Sequence, residues 1–202
     1  MGLLGRTRFV WALIGSIVLF SCDDGGGPAA TNTNYTLTCP AAPTSCGPLS
    51  DTTCLRPDGG SAGERRIFAT NGEISCDGET PAIVACRATA TTEDRQILVL
   101  EAVVGDFGIE TTIIVTVEGA TIQGTCEVTV LEDGVSYGGS LGTCGLEEPS
   151  MEQPCQISNL TVGEVDGAEI GFDLECRALI SDLTESGFDV DATVEFARCE
   201  GI

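Results

Sequence analysis

The chain has 202 residues, 31 acidic side chains, nine arginines and neither lysine nor histidine, for a formal charge of −22. Such a body repels nucleic acid and anionic lipid headgroups, so no nucleic-acid partner is expected. Without histidine or lysine there is no Ser-His-Asp triad, Cys-His dyad, Ser-Lys pair or lysine-bearing phosphate loop.

At the start of the chain, Arg6 and Arg8 precede an apolar run from Phe9 to Phe20, and Leu19-Phe20-Ser21-Cys22 closes it. A charged start, an apolar stretch of about a dozen residues and a small residue at the cut form a secretory signal peptide. The run is shorter than the roughly 20 residues that cross a bilayer as a helix. With a cysteine directly after the cut, the segment resembles the lipobox of bacterial lipoprotein precursors. The resemblance implies loss of residues 1–21, a diacylglyceryl group on the Cys22 thiol, and an acyl chain such as palmitate on the new N-terminus. It places the protein outside the cytoplasm, held to a membrane of the bacterial envelope through lipid on Cys22. Two or more acyl chains hold a protein firmly where one binds marginally. Whether the membrane is the inner or the outer one stays open.

Asp23-Asp24-Gly25-Gly26-Gly27-Pro28 follows and reads as a flexible tether. Counted from Cys22, 31 acids stand against seven arginines, about −24 by formal charge. Cysteine parity points to the same residue. Of 11 cysteines, an odd number for an exported chain, Cys22 is the natural one to set aside. Cys39, Cys46, Cys54, Cys76, Cys86, Cys126, Cys144, Cys155, Cys176 and Cys199 remain as disulfide candidates. Zinc is disfavoured, because no Cys-x-x-Cys pair and no histidine exist.

From Cys22 to about Gly63 the chain is rich in Gly, Pro, Ala, Thr and Asn and looks linker-like, although Cys39, Cys46 and Cys54 staple it. Three cysteines there and seven beyond are both odd numbers, so full pairing requires a disulfide joining this segment to the rest. The organisation expected is a signal peptide over 1–21, a lipid-anchored tether and Cys-containing loop segment over 22–64, and a β domain over 65–202.

Within 65–202 the side chains alternate with a period of two. Ile122 to Val130, Ile170 to Ile180 and Phe188 to Phe196 each set one apolar face against one polar face. Further strands are expected at 66–70, 81–90, 96–104 and 109–118. The run Gln96 to Val104 is apolar on both faces and is expected to be central. Turns fall at Glu93-Asp94, at Glu132-Asp133-Gly134 with its Asp-Gly hairpin signal, and at Asp182 to Gly187. Cys86-Arg87-Ala88 and Cys176-Arg177-Ala178 match as tripeptides, which hints at duplicated hairpins.

About seven to nine strands with Gly-rich turns give an all-β fold, an antiparallel β-sandwich stapled by disulfides. Two smaller domains divided near Glu147-Glu148-Pro149 are the alternative. Among the possible pairings, Cys126 with Cys144, and Cys176 with Cys155 or Cys199, are favoured. Acidic groups at Glu164, Asp166 and Glu169, or at Asp189 and Asp191, offer oxygen ligands for calcium, but none completes an EF-hand loop. The sequons at Asn34 and Asn159 carry no weight in a bacterial chain. No catalytic residue, cofactor or metal centre is expected. Two functions stand: a non-enzymatic lipid-anchored envelope or surface protein that binds another envelope or extracellular protein, and a stapled secreted binder or protease-inhibitor-like module. The second would present the Cys39 to Cys54 segment as a rigid loop, which loses less entropy on binding.

Overall fold

The computed structural model describes residues 28–47, 64–69, 83–92, 95–118, 121–145, 147–163 and 169–201. The expected signal peptide and lipid-bearing Cys22 lie outside the described residues, as do Cys54 and Cys76. Among the described residues every regular element is a strand, and no helix is long and apolar enough to cross a membrane. The strands are β1 (Ala30–Thr38), β2 (Ser45–Cys46), β3 (Glu64–Ala69), β4 (Ile83–Thr92), β5 (Arg95–Val104), β6 (Phe107–Glu118), β7 (Thr121–Glu132), β8 (Val135–Gly145), β9 (Cys155–Gly163), β10 (Glu169–Ile180) and β11 (Ser186–Ala197).

Hydrogen bonding runs in the order β3-β1-β11-β10-β9-β8-β7-β6-β5-β4, with β2 off the path against β11. The path divides into two antiparallel halves, β3-β1-β11-β10-β9 and β8-β7-β6-β5-β4. They are joined where β8 and β9 run parallel at Cys144↔Cys155 and Gly145↔Gln156. Both halves bury one face in a single core that includes Tyr35, Ile67, Leu98, Ile113, Val130, Phe172 and Phe188. The expected antiparallel sandwich is therefore the observed class, and the alternative of two domains split near Pro149 is not realised.

Two bends close the structure at its sides. In β8, Gly138 has φ +110, and a Cβ there would come within 2.1 Å of the Val128 carbonyl oxygen. Only glycine fits this bulge, beyond which β8 rejoins β7 at Thr143 and Cys144 and there meets β9. On the other side β11 kinks at Arg198 (φ 58), and Glu200 then bridges to Arg87 in β4. The Cys86–Cys199 disulfide locks that second seam.

Cys39–Cys46 and Cys155–Cys176 are also bonded, the latter as one of the two favoured partners of Cys176. Cys126 is disulfide-bonded as well, and the ladder sets Cys144 directly opposite it. Positions 126, 144, 155 and 176 thus form one row across β7, β8, β9 and β10. By chain entropy, a link spanning 113 residues of sequence (Cys86–Cys199) contributes roughly 5 kcal/mol, against roughly 2.5 for one spanning 7 (Cys39–Cys46). Disulfides in a small all-β chain fit an oxidising, extracytoplasmic compartment.

Three expectations need correction. The boundary at residue 64 does not separate linker from domain, because β1 lies between β3 and β11. Its sequence hides the strand: Thr31 and Thr33 fill inward positions by bonding each other (2.7 Å) while Thr31 Oγ1 donates to the Glu195 carbonyl (2.9 Å). β5 is flanked on both sides but stands second from the end of its half, with β6 in the middle. The matching tripeptides are not equivalent: Cys86 joins β4 to the chain after β11, whereas Cys176 joins neighbouring strands, and Ala178 alone has positive φ.

The core also holds an ion pair. Arg65 and Glu132, both fully excluded from solvent, meet across the sandwich with Nη2 donating to Oε1 at 2.5 Å and Nε to both oxygens at 3.1 and 3.2 Å. The guanidinium carbon lies 5.7 Å from the centroid of the Phe107 ring. Tyr35 is fully buried beside them, and its hydroxyl has no hydrogen-bond partner. Burial pushes this hydroxyl far above the usual tyrosine range and Glu132 adds to the shift, against the opposing charge of Arg65.

The folded state therefore keeps Tyr35 protonated at a pH where the unfolded chain releases its proton. The stability tied to Tyr35 is complete below about pH 10 and falls by about 1.4 kcal/mol per unit above it. Urea unfolding at pH 8, 10 and 11 should show a shallower alkaline loss for Tyr35→Phe than for the parent. Equal slopes would show that Tyr35 does not titrate in this way.

Candidate functional site

β1 sets the long axis of its half. It starts at Ala30, paired with Ala197, and ends at Thr38, paired with Asp189. Eight steps of about 3.3 Å place these ends roughly 26 Å apart. The N-terminal end is where the described chain enters, at exposed Pro28, whose carbonyl accepts a hydrogen bond from Arg198 Nε (2.7 Å).

Three loops gather at the far end. After Thr38 the chain turns through Cys39-Pro40-Ala41-Ala42-Pro43-Thr44-Ser45-Cys46, closed by its disulfide, and β2 returns parallel to β11 at Ser186 and Gly187. Gly47 N–H then donates to the Gly187 carbonyl (2.9 Å). Glycine is needed at 47, since a Cβ would lie 2.6 Å from a Phe188 ring carbon and 3.1 Å from Tyr137 Oη. Gly47 thereby lids an edge-to-face aromatic pair, Tyr137 and Phe188, whose centroids are 4.7 Å apart. The second loop is the β10–β11 turn, held by Ser181 N–H to the Ser186 carbonyl (2.9 Å) and by the Thr184 and Ser186 hydroxyls (2.7 Å). The third is 147–154, tied down where Arg177 N–H donates to the Pro154 carbonyl (2.7 Å).

The chemistry of this tip contrasts with the rest of the chain. The 39–46 loop carries no charge, and Cys39, Ala41, Ala42, Pro43, Ser45 and Cys46 are exposed. Leu183 and Met151, on the neighbouring loops, are two of the three large exposed apolar side chains among the described residues. Exposed Asp182, Glu185, Glu147, Glu148 and Glu152 lie on those same two loops. The tip thus combines a neutral loop and two exposed apolar side chains with acidic residues on the loops beside it.

The outer face of β1, β11, β10 and β9 is different. In register rows it carries Asn34, Thr193, Asp173 and Ser158, then Thr36, Asp191, Glu175 and Gln156. Two shallow hollows of about 400 and 380 Å³ lie along it. Its carboxylates are engaged locally. Asp173 accepts from Asn159 Nδ2 (2.6 Å) and Thr193 Oγ1 (3.3 Å), and Glu195 accepts from Asn32 Nδ2 (2.9 Å). Arg177 bridges Glu175 (2.5 Å) and Asp191 (3.3 Å), and these carboxylates hold its guanidinium charged against partial burial.

Of the calcium candidates, the Asp189 and Asp191 pair is engaged within the protein. Asp189 accepts the backbone N–H of Ala178 (2.8 Å) and Asp191 pairs with Arg177, while Glu164 and Asp166 lie outside the described residues. No group of three metal-ligating side chains occurs among the described residues. Asn34 and Asn159, of the two sequons, sit inside strands β1 and β9, and Asn159 adopts φ 53. One pattern is easily passed over in the sequence. Gly138-Gly139-Ser140-Leu141-Gly142 fits Gly-x-Ser-x-Gly, yet it lies within strand β8 rather than at the strand-to-helix turn that exposes a nucleophile. The tip itself was only half legible: Cys39, Cys46 and Cys54 marked a stapled segment, but nothing marked the Cys39–Cys46 closure or Gly47 as a lid.

Compared with known proteins, the chain matches no family model, no curated protein and no solved structure.

Gly47→Ala should force the loop off Phe188 and lower stability by about 1–3 kcal/mol. Leu183→Ser, at an exposed position, should stay within about 0.5 kcal/mol of the parent. Denaturant midpoints measure both, and equal midpoints for Gly47→Ala and parent would show that the loop does not pack as described.

Proposed function

We propose that this is a non-enzymatic, lipid-anchored protein of the bacterial cell envelope that presents the far tip of its sandwich to another envelope or extracellular protein. The observation that carries the reading is the opposition of the two ends. The chain enters beside Pro28, six residues after Cys22, and the neutral disulfide loop lies at the other end of β1. A lipid on Cys22, followed by a Gly-rich tether, would hold the entry end towards the membrane and leave the tip facing outward. The lack of histidine and lysine supports a binding role over a catalytic one.

Intact mass of the protein purified from membranes tests the anchor. The expected result is loss of residues 1–21, added lipid mass on Cys22, and ten fewer hydrogens for five disulfides. Peptide mapping should return Cys126–Cys144 and, as the remaining pair, Cys54–Cys76. An unmodified Cys22, or free thiols elsewhere, would remove the reading.

A second reading has its own support in the Cys39–Cys46 closure of an exposed loop. As an inhibitor-like module, the chain would insert that loop into a partner such as a protease with little entropy left to lose. A protease panel against the exported chain should then show saturable inhibition that Ala41→Asp and Ala42→Asp weaken at least tenfold. No inhibition across the panel would retire it.

A further inference from the structure

We propose that the Cys39–Cys46 disulfide is a thiol-exchange site, opened selectively by a dithiol reductant, and that opening it lifts the lid from the Tyr137–Phe188 pair. Among the described residues, accessibility separates this bond from the other bonded cysteines. Cys39 and Cys46 are both exposed. Cys86, Cys126, Cys155, Cys176 and Cys199 are at most 5% exposed. Exchange needs a thiolate to reach a sulfur, so its rate follows access, and exposed disulfides are the labile ones.

In the first step a thiolate of the donor attacks one loop sulfur, forming a mixed disulfide and expelling the other loop cysteine as a thiolate. The donor's second thiol, deprotonated, then attacks the mixed bond and leaves as the oxidised donor. Two electrons and two protons pass from the dithiol to Cys39 and Cys46, so the exchange balances with no other reactant. The exposed carboxylates of Asp182 and Glu185 on the adjoining turn repel an attacking thiolate, least where the donor carries no further negative charge.

The second observation is what the loop covers. β2 pairs with β11 at only two positions, and one further hydrogen bond, from Gly47 to Gly187, continues it. Tyr137 and Phe188 beneath are fully buried. Once the cross-link is gone, the loop must be ordered against its full chain entropy by those few bonds, and local opening follows. The tip then changes from a neutral loop to an open aromatic pair. The biological consequence rests on the tip being the binding end, but the chemistry does not.

The test treats the oxidised, exported protein with increasing dithiothreitol, traps thiols by alkylation, and maps them by mass spectrometry, with amide exchange read on the same samples. Cys39 and Cys46 should be labelled at least tenfold faster than the five buried cysteines named above. Residues 135–139 and 186–190 should lose protection at the same reductant level while β5 and β6 keep theirs. Cys39→Ser/Cys46→Ser should show that exchange pattern without reductant. Earlier labelling of a buried cysteine, or unchanged protection at 186–190 after the loop is fully labelled, overturns the proposal. Failure of the tip to bind any partner would leave the labelling order untouched, so the two readings fail separately.

Discussion

A guanidinium and a carboxylate, both shut off from water, hold β3 against β7. Dehydrating two charges costs several kcal/mol each, and leaving one unpaired costs about 3–5 kcal/mol. The Arg65–Glu132 pair therefore penalises arrangements that separate its members more than it rewards the native one. A one-residue slip of β3 would turn Arg65 and Ile67 outward together, so the pair sets register across the two halves. Tyr35 stands opposite Arg65 on β1 and inherits the same environment, which is why its proton is so firmly held.

The closures at the sides follow from that fixed register. With β3 and β7 facing each other, the chain after β11 reaches the other half through Arg198 in a left-handed conformation, while β8 and β9 meet in parallel. The Cys86–Cys199 disulfide spans the first of these seams, and Cys155–Cys176 lies within one half beside the second. A core with few aromatic rings relies on such links, and the longest of them restricts the unfolded chain most. The short Cys39–Cys46 link contributes about half as much by the same arithmetic, and what it orders is a single loop.

Strands β7 and β11, and β10 as far as Cys176, were legible because strict alternation places their large apolar residues on one face; beyond Cys176 a bulge shifts the parity, so that Leu179 is buried rather than the expected Ala178 and Ile180. β1 was not, because threonine hydroxyls can be buried when they bond to each other and to a carbonyl, and apolar periodicity is blind to that. β8 was hidden by its glycines, which serve the bend rather than the core. The ion pair was readable in principle. Continuing the inward parity of Ile67 back two residues reaches Arg65, and continuing that of Val130 forward two reaches Glu132. A charged residue at each end of an apolar series is the signal that a buried pair leaves. Of the tip, the sequence showed the staple but not its contact with Phe188, since Gly47 and Phe188 meet only through the parallel return of β2.

The contrast between the tip and the body would constrain the partner proposed for it. A chain of charge −22 repels acidic surfaces at a distance, so such a protein would do best with basic side chains facing the acidic loops. At contact the requirement reverses. The 39–46 loop has no ionised group to dehydrate, and Leu183 and Met151 lose only unfavourable exposure. A surface with an apolar centre and a basic border meets both conditions. An entirely basic one would be attracted to the acidic loops and then bury charges opposite a neutral loop that has none to pair with them.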